Sequence, residues 1–163
     1  MKKLSIICLV LLAVVSMSCR RTVVTSNVSS STVTVLSSDW YWDNNTSWRV
    51  DIDYDAINAN VDDHGAVLVY MDQGETWRQI PMTFYYSIMN DDHTISYYSS
   101  TIEVSTYYQG LSIFWTENDF YDGYRPDDHK FKIVVIPADV YGSRSDVNYE
   151  DYNAVKAAFQ LAD

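Results

Sequence analysis

Residues 48–55 read WRVDIDYD. Trp48, Val50, Ile52 and Tyr54 alternate with Arg49, Asp51, Asp53 and Asp55. Successive side chains of a strand point to opposite faces, so this stretch predicts a strand with one buried face and one wet face. Two other stretches, GAVLVYM at 65–71 and FKIVVI at 131–136, are apolar at nearly every position. Such runs predict central strands.

Working outward, the β-branched and aromatic runs Thr32–Leu36, Thr76–Ile80, Met82–Ile88, Thr94–Ser99, Thr101–Tyr107 and Leu111–Trp115 read as further strands. Clusters of Asp, Asn and Gly punctuate them, at 43–45, 62–65, 72–74, 90–92 and 119–128. Many short strands separated by such turns predict an all-β fold, an antiparallel β-sandwich of Ig-like or jelly-roll-like type. The chain then changes character. Tyr152, Val155 and Phe159 share one helical face, and Asn148 with Asp151 three residues on reads as a cap. A short C-terminal helix over about 149–161 is expected to dock on the sheets.

The first nineteen residues speak to location. Lys2 and Lys3 precede an apolar run from Leu4 to Val15, followed by Ser16, Met17, Ser18 and Cys19. This is the grammar of an export signal, too short to persist as a spanning helix. A cysteine at the cut resembles the lipobox of bacterial lipoproteins, which implies that Cys19 becomes an acylated N-terminus. The organisation expected is a signal at 1–19, a Ser/Thr-rich tether at 20–31 and a single sandwich domain with its helix at 32–163. With Cys8 removed and Cys19 acylated, the exported body has no disulfide. Its stability must come from burial, for which 5 Trp, 14 Tyr and 5 Phe supply ample apolar area.

Charge narrows the partners. All 22 acids lie at or beyond Asp39, against seven bases there, a formal charge of −15 on the body. A surface of that sign repels nucleic acid and anionic headgroups. A basic protein, a cation or a neutral envelope glycan suits it better.

Three clusters are candidates for chemistry. Each histidine follows two aspartates: Asp62, Asp63 and His64; Asp91, Asp92 and His93; Asp127, Asp128 and His129. Carboxylates suit Ca²⁺, and imidazole with carboxylate suits a transition metal, so converging turns would make a divalent-cation site. The plainer reading is turn chemistry, with each histidine a solvated neighbour favoured in its positive form. Asp51, Asp53 and Asp55 form the second cluster. Ala56 and Asp62 stand where an EF-hand needs Gly and Glu, so three like charges on one strand face call for a cross-strand base, a cation or a basic partner. The third is a set of tyrosine pairs at 85–86, 97–98 and 107–108. One member of each should face water. Tyr86, Tyr98 and Tyr108 are taken as that outward row, a platform for stacking sugars or a ladder that merely stabilises the sheet. No G-x-S-x-G, H-E-x-x-H or Gly-rich phosphate loop is present. No catalysis and no obligatory cofactor are expected.

The signal, GAVLVYM at 65–71, TWRQIPM at 76–82, FKIVVIP at 131–137 and NYEDYNAVKAAFQL at 148–161 together resemble small, uncharacterised lipoproteins and secreted proteins of the Bacteroidota. The resemblance implies a β-rich domain held to a membrane of the cell envelope, the outer membrane above all, facing the periplasm or the cell surface. It brings no activity and no site residues. Arg20, Arg21 and Thr22 lack the acids that accompany surface export in that phylum, which favours the periplasmic side. The expected function is a non-catalytic binding or structural module; the alternatives are glycan binding and divalent-cation binding.

Overall fold

The computed structural model describes residues 28–62, 64–119 and 125–162. The expected signal, Cys19, the tether up to residue 27, and Asp63 lie outside them. Among the described residues the chain forms β1 (Ser29–Val35), a 3₁₀ turn (Ser37–Asp39), β2 (Tyr41–Asp43), β3 (Ser47–Asp53), α1 (Ala59–Asp62), β4 (Ala66–Asp72), β5 (Trp77–Ile80), β6 (Met82–Met89), β7 (Ile95–Tyr107), β8 (Gly110–Glu117), β9 (His129–Ile136), α2 (Ala138–Tyr141) and α3 (Tyr152–Phe159). The strands make two antiparallel sheets, one ordered β1-β9-β4-β5 and the other β2-β3-β8-β7-β6. They pack face to face as a β-sandwich with a short C-terminal helix.

Burial explains the two sequence patterns. The main core lies between the sheets and includes Trp48, Val50 and Ile52 of β3, Ile113 and Trp115 of β8, and Phe131 and Ile133 of β9. The outer face of the five-stranded sheet is wet, so β3 alternates. A second core lies on the outer face of the four-stranded sheet, where Leu68 and Tyr70 of β4 and Val134 and Ile136 of β9 meet Tyr152 and Val155 of α3. The central strands β4 and β9 are therefore buried on both faces, which is why their sequences run apolar without a break. Lys132 is buried on the helix side with its ammonium 5.4 Å from the rings of both Trp77 and Tyr152.

Local departures have local causes. β1 begins at Ser29, with Ser29, Ser30 and Ser31 opposite Val135, Val134 and Ile133 of β9. The last three residues of the expected tether thus belong to the sheet. The two strands expected at 94–99 and 101–107 are one 13-residue strand. Ser100 at the expected break is buried and bonded to Glu117, so it continues the ladder. α3 is capped by Asp151, whose Oδ1 accepts from the Asn153 N–H at 2.9 Å; the expected cap Asn148 instead closes the preceding turn by accepting from the Glu150 N–H. Tyr152 and Val155 are buried on the expected helix face and Phe159 packs partly against them.

Candidate functional site

The feature that stands apart is the β6–β7 hairpin. β6 pairs with β7 from Met82↔Ile102 to Met89↔Ile95. β7 pairs with β8 only from Ser100↔Glu117 onward. Among the described residues, 85–89 and 95–99 therefore form a two-stranded arm extending past the end of β8, rooted where Ser99 still exchanges hydrogen bonds with Asn118, and β6 is the sheet edge. Register fixes its faces. Met82, Phe84, Tyr86 and Ile88 alternate with Thr83, Tyr85, Ser87 and Met89, and Tyr86 lies opposite Tyr98.

The root of the arm is locked on the inner face. The Tyr86 and Tyr98 rings stack 5.6 Å apart, and Phe84 meets Trp115 edge-on at 5.4 Å. Glu117, only 4 % exposed, lies beneath them. Its carboxylate accepts from the Tyr86 hydroxyl at 2.7 Å and from Trp115 Nε1 at 2.7 Å, and the Ser100 hydroxyl is 2.8 Å from both its oxygens. A buried carboxylate must have its acceptor sites filled, and here three neutral donors fill them. Sequence reasoning gave Glu117 no role. The signal was its parity: 111, 113, 115 and 117 form one inward series on β8, and Glu117 ends it.

The outer face of the arm is open. Tyr85 is 82 % exposed, Tyr97 78 %, Met89 68 % and Ile95 52 %. The tyrosine expectation is thus corrected by one residue in two of the three pairs: Tyr85 and Tyr97 face water, while Tyr86 and Tyr98 turn inward. The strand's two-residue period makes any register reading all right or all wrong for a face. Tyr108 is exposed, but it sits in the β7–β8 turn at the far end of β7, about 30 Å from Tyr98 along the strand. The three residues form no row.

The Asp-Asp-His triplets do not converge. Ala66 pairs with Ile136, so exposed His64 and the end of α1 at Asp62 lie at that end of β9, while His129 begins the strand at the other end, about 23 Å away. Asp91, Asp92 and His93 form the exposed tip of the arm, beyond Met89↔Ile95. Among the described residues no group of three or more His, Cys, Asp or Glu is placed to hold a metal ion. The tip shows turn chemistry instead: Asp92 Oδ1 accepts from the Thr94 hydroxyl at 2.6 Å and the Thr94 N–H at 3.0 Å, which lowers its carboxyl. Asp128 Oδ1 accepts from the Ser37 N–H at 2.7 Å. His129 departs from the solvated picture. Its ring stacks on Trp115 at 4.9 Å, and burial lowers its pKa despite Asp127 and Asp128. Asp127 and His129 line a cleft of about 480 Å³ at the arm's root, together with Asp72, Phe84 and Trp115.

Of the acidic series, Asp51 finds its base on its own strand, while Asp55 lies in the turn beyond β3 rather than on the strand face. Arg49 Nε donates to Asp51 at 2.8 Å, and Arg49 Nη1 reaches Asp43 at 3.5 Å. Burial opposes the charge on Asp51, but hydrogen bonds from Ser112, Tyr41 and Arg49 outweigh it and hold the carboxyl low.

Burial, then hydrogen bonding to a carboxylate, pushes the Tyr86 hydroxyl up to about 12, and the same two causes push Tyr41 up to about 12. An unfolded tyrosine titrates near 10. A pKa raised in the fold contributes stability that is complete below about pH 10 and lost as pH rises through about 12. The melting temperature should therefore fall steeply over that window. Tyr86→Phe should make the fall shallower; an unchanged slope would disconnect Tyr86 from alkaline unfolding.

Among the described residues no helix is long and apolar enough to cross a membrane. No protein-family description, curated protein or solved structure matches the chain.

Proposed function

We propose that this chain is a non-catalytic interaction module of a bacterial cell envelope, lipid-anchored through Cys19 and engaging other protein through its β6–β7 arm. The observation that carries the reading is the crowding of exposed apolar side chains on one element. Ten large apolar residues are exposed among those described, and five of them lie on the arm: Tyr85, Met89, Ile95 and Tyr97 share its outer face, and Ile88 lies on the other. Single exposed apolar residues are ordinary, but a contiguous patch of them marks an interaction site. The lock at Glu117 supports the same reading, because an arm held rigid at its root loses less freedom on binding.

A photo-reactive residue at position 97, in intact cells, should give a discrete adduct with one protein. The same residue at Glu103, exposed on β7 outside the arm, should not. A smear of random neighbours from both positions would contradict the reading. Glycan binding is the second reading, favoured by the two open rings of Tyr85 and Tyr97. A glycan array should then show a signal lost in Tyr85→Ala and Tyr97→Ala, and an empty array removes it.

A further inference from the structure

We infer that the partner of the arm is a second copy of this chain, joined edge to edge through β6 so that two five-stranded sheets become one. The inference rests on the docking role proposed for the arm and names its occupant.

β6 is an edge strand of eight residues. Edge strands are ordinarily protected by a charge, a bulge or a proline within them, because their unpaired N–H and C=O groups are a template for another strand. Met82–Met89 contains none of the four charged residue types and no proline. This is notable in a body of formal charge −15. Two copies repel one another over most of their surfaces, and like charges opposed across a strand pair are destabilising. An uncharged edge carried on an arm is where two such bodies can meet. The other uncharged edge, β1, displays none of the ten exposed large apolar residues.

The strand also fits itself. In an antiparallel pair centred on Tyr86, residues whose numbers sum to 172 lie opposite. Tyr85 then faces Ser87 of the other copy, and Met89 faces Thr83. On the inner face Phe84 meets Ile88, and the two Tyr86 residues meet at the dyad. On the outer face each bulky side chain faces a small one. The arm already uses this scheme internally, with Tyr85 opposite Ser99 and Ser87 opposite Tyr97. Moving the pairing to a sum of 170 would set Tyr85 against Tyr85. A twofold contact of this kind is self-complementary and closed, so it yields a dimer.

The test uses full-length protein in its native membrane. In the stated register the two Ser87 Cα atoms lie about 8 Å apart. Ser87 is exposed, so Ser87→Cys leaves the core untouched. A short bismaleimide should convert the Ser87→Cys protein to a band of twice the mass. Wild type, carrying only the native cysteines, and Thr34→Cys, exposed on the β1 edge, should give no such band. Adding Tyr85→Lys to Ser87→Cys should abolish the dimer band while leaving the melting temperature of the chain diluted in detergent unchanged. Equal crosslinking from Thr34, or adducts only to a different protein, overturns the second copy; in the latter case the docking role survives. No adduct from either Ser87→Cys or a crosslinker at position 97 overturns both.

Discussion

Trp40→Ala is expected to lower the unfolding free energy by about 4 kcal/mol, the range for removing a large aromatic from a packed core. Trp40 follows the 3₁₀ turn and is 1 % exposed. Its ring meets Trp115 of β8 at 6.2 Å and Phe131 of β9 at 6.4 Å, both edge-on. It therefore fastens one sheet to the other. A cavity there cannot be filled by one sheet alone without shifting the whole layer. For a domain of this size the melting temperature should fall by roughly 10 °C. Trp40 Nε1 is buried without a hydrogen-bond partner among the described residues. Trp40→Phe should thus cost far less than the alanine change, since it removes volume and no hydrogen bond. Thermal melts of the two variants check this, and equal losses would deny the inter-sheet role of the ring.

The second large effect belongs to Glu117. Glu117→Ala leaves the donors of Tyr86, Ser100 and Trp115 facing a void, and each unsatisfied buried donor costs about 1–3 kcal/mol. Relaxation and water entry recover part of this, so a loss of about 3 kcal/mol is expected. Glu117→Gln preserves the volume but turns an amide group towards donors, and it should fall between wild type and alanine. The effect should be local as well as global. Amides of 84–89 and 95–99 should exchange faster in Glu117→Ala, while those of β9 keep their rank. Denaturant unfolding gives the first quantity and hydrogen exchange the second. A neutral Glu117→Ala would mean that the carboxylate does not secure the arm.

How far this was legible in the sequence depended on whether a residue obeyed a local rule. The alternation at 48–55 located β3 because one of its faces meets water. The runs at 65–71 and 131–136 located β4 and β9 because helix α3 covers the face that would otherwise be polar. The two-residue period also held the correct parity of Glu117, in line with Leu111, Ile113 and Trp115, but an acidic residue at a strand end reads first as surface. The tyrosine pairs were ambiguous for the same reason. In a Tyr-Tyr pair the residues themselves do not say which one is inside, and only the register with Ser100 and Glu117 decides it. The Asp-Asp-His triplets failed as a group because convergence is a property of topology. Their turns lie at opposite ends of β9 and at the tip of an arm, and no local spacing encodes that.

The arm itself was hidden by a reasonable error. Reading 94–107 as two strands removed the long strand whose first half outruns β8. Ser99 and Ser100 have the composition of a break, yet the buried hydrogen bond from Ser100 to Glu117 makes them continuous. The missing observation was a pairing between residues 17 positions apart.

The central claim, that the β6 edge is a protein-docking surface, is tested most directly by amide exchange. The full-length chain would be compared in its native membrane and after dilution in detergent. Amides of Thr83, Tyr85, Ser87 and Met89, whose N–H groups point away from β7, are expected to be slow in the membrane and fast on dilution, with β8 and β9 slow in both. Protection of β6 that is the same in the two states, whether fast or slow, would contradict the claim.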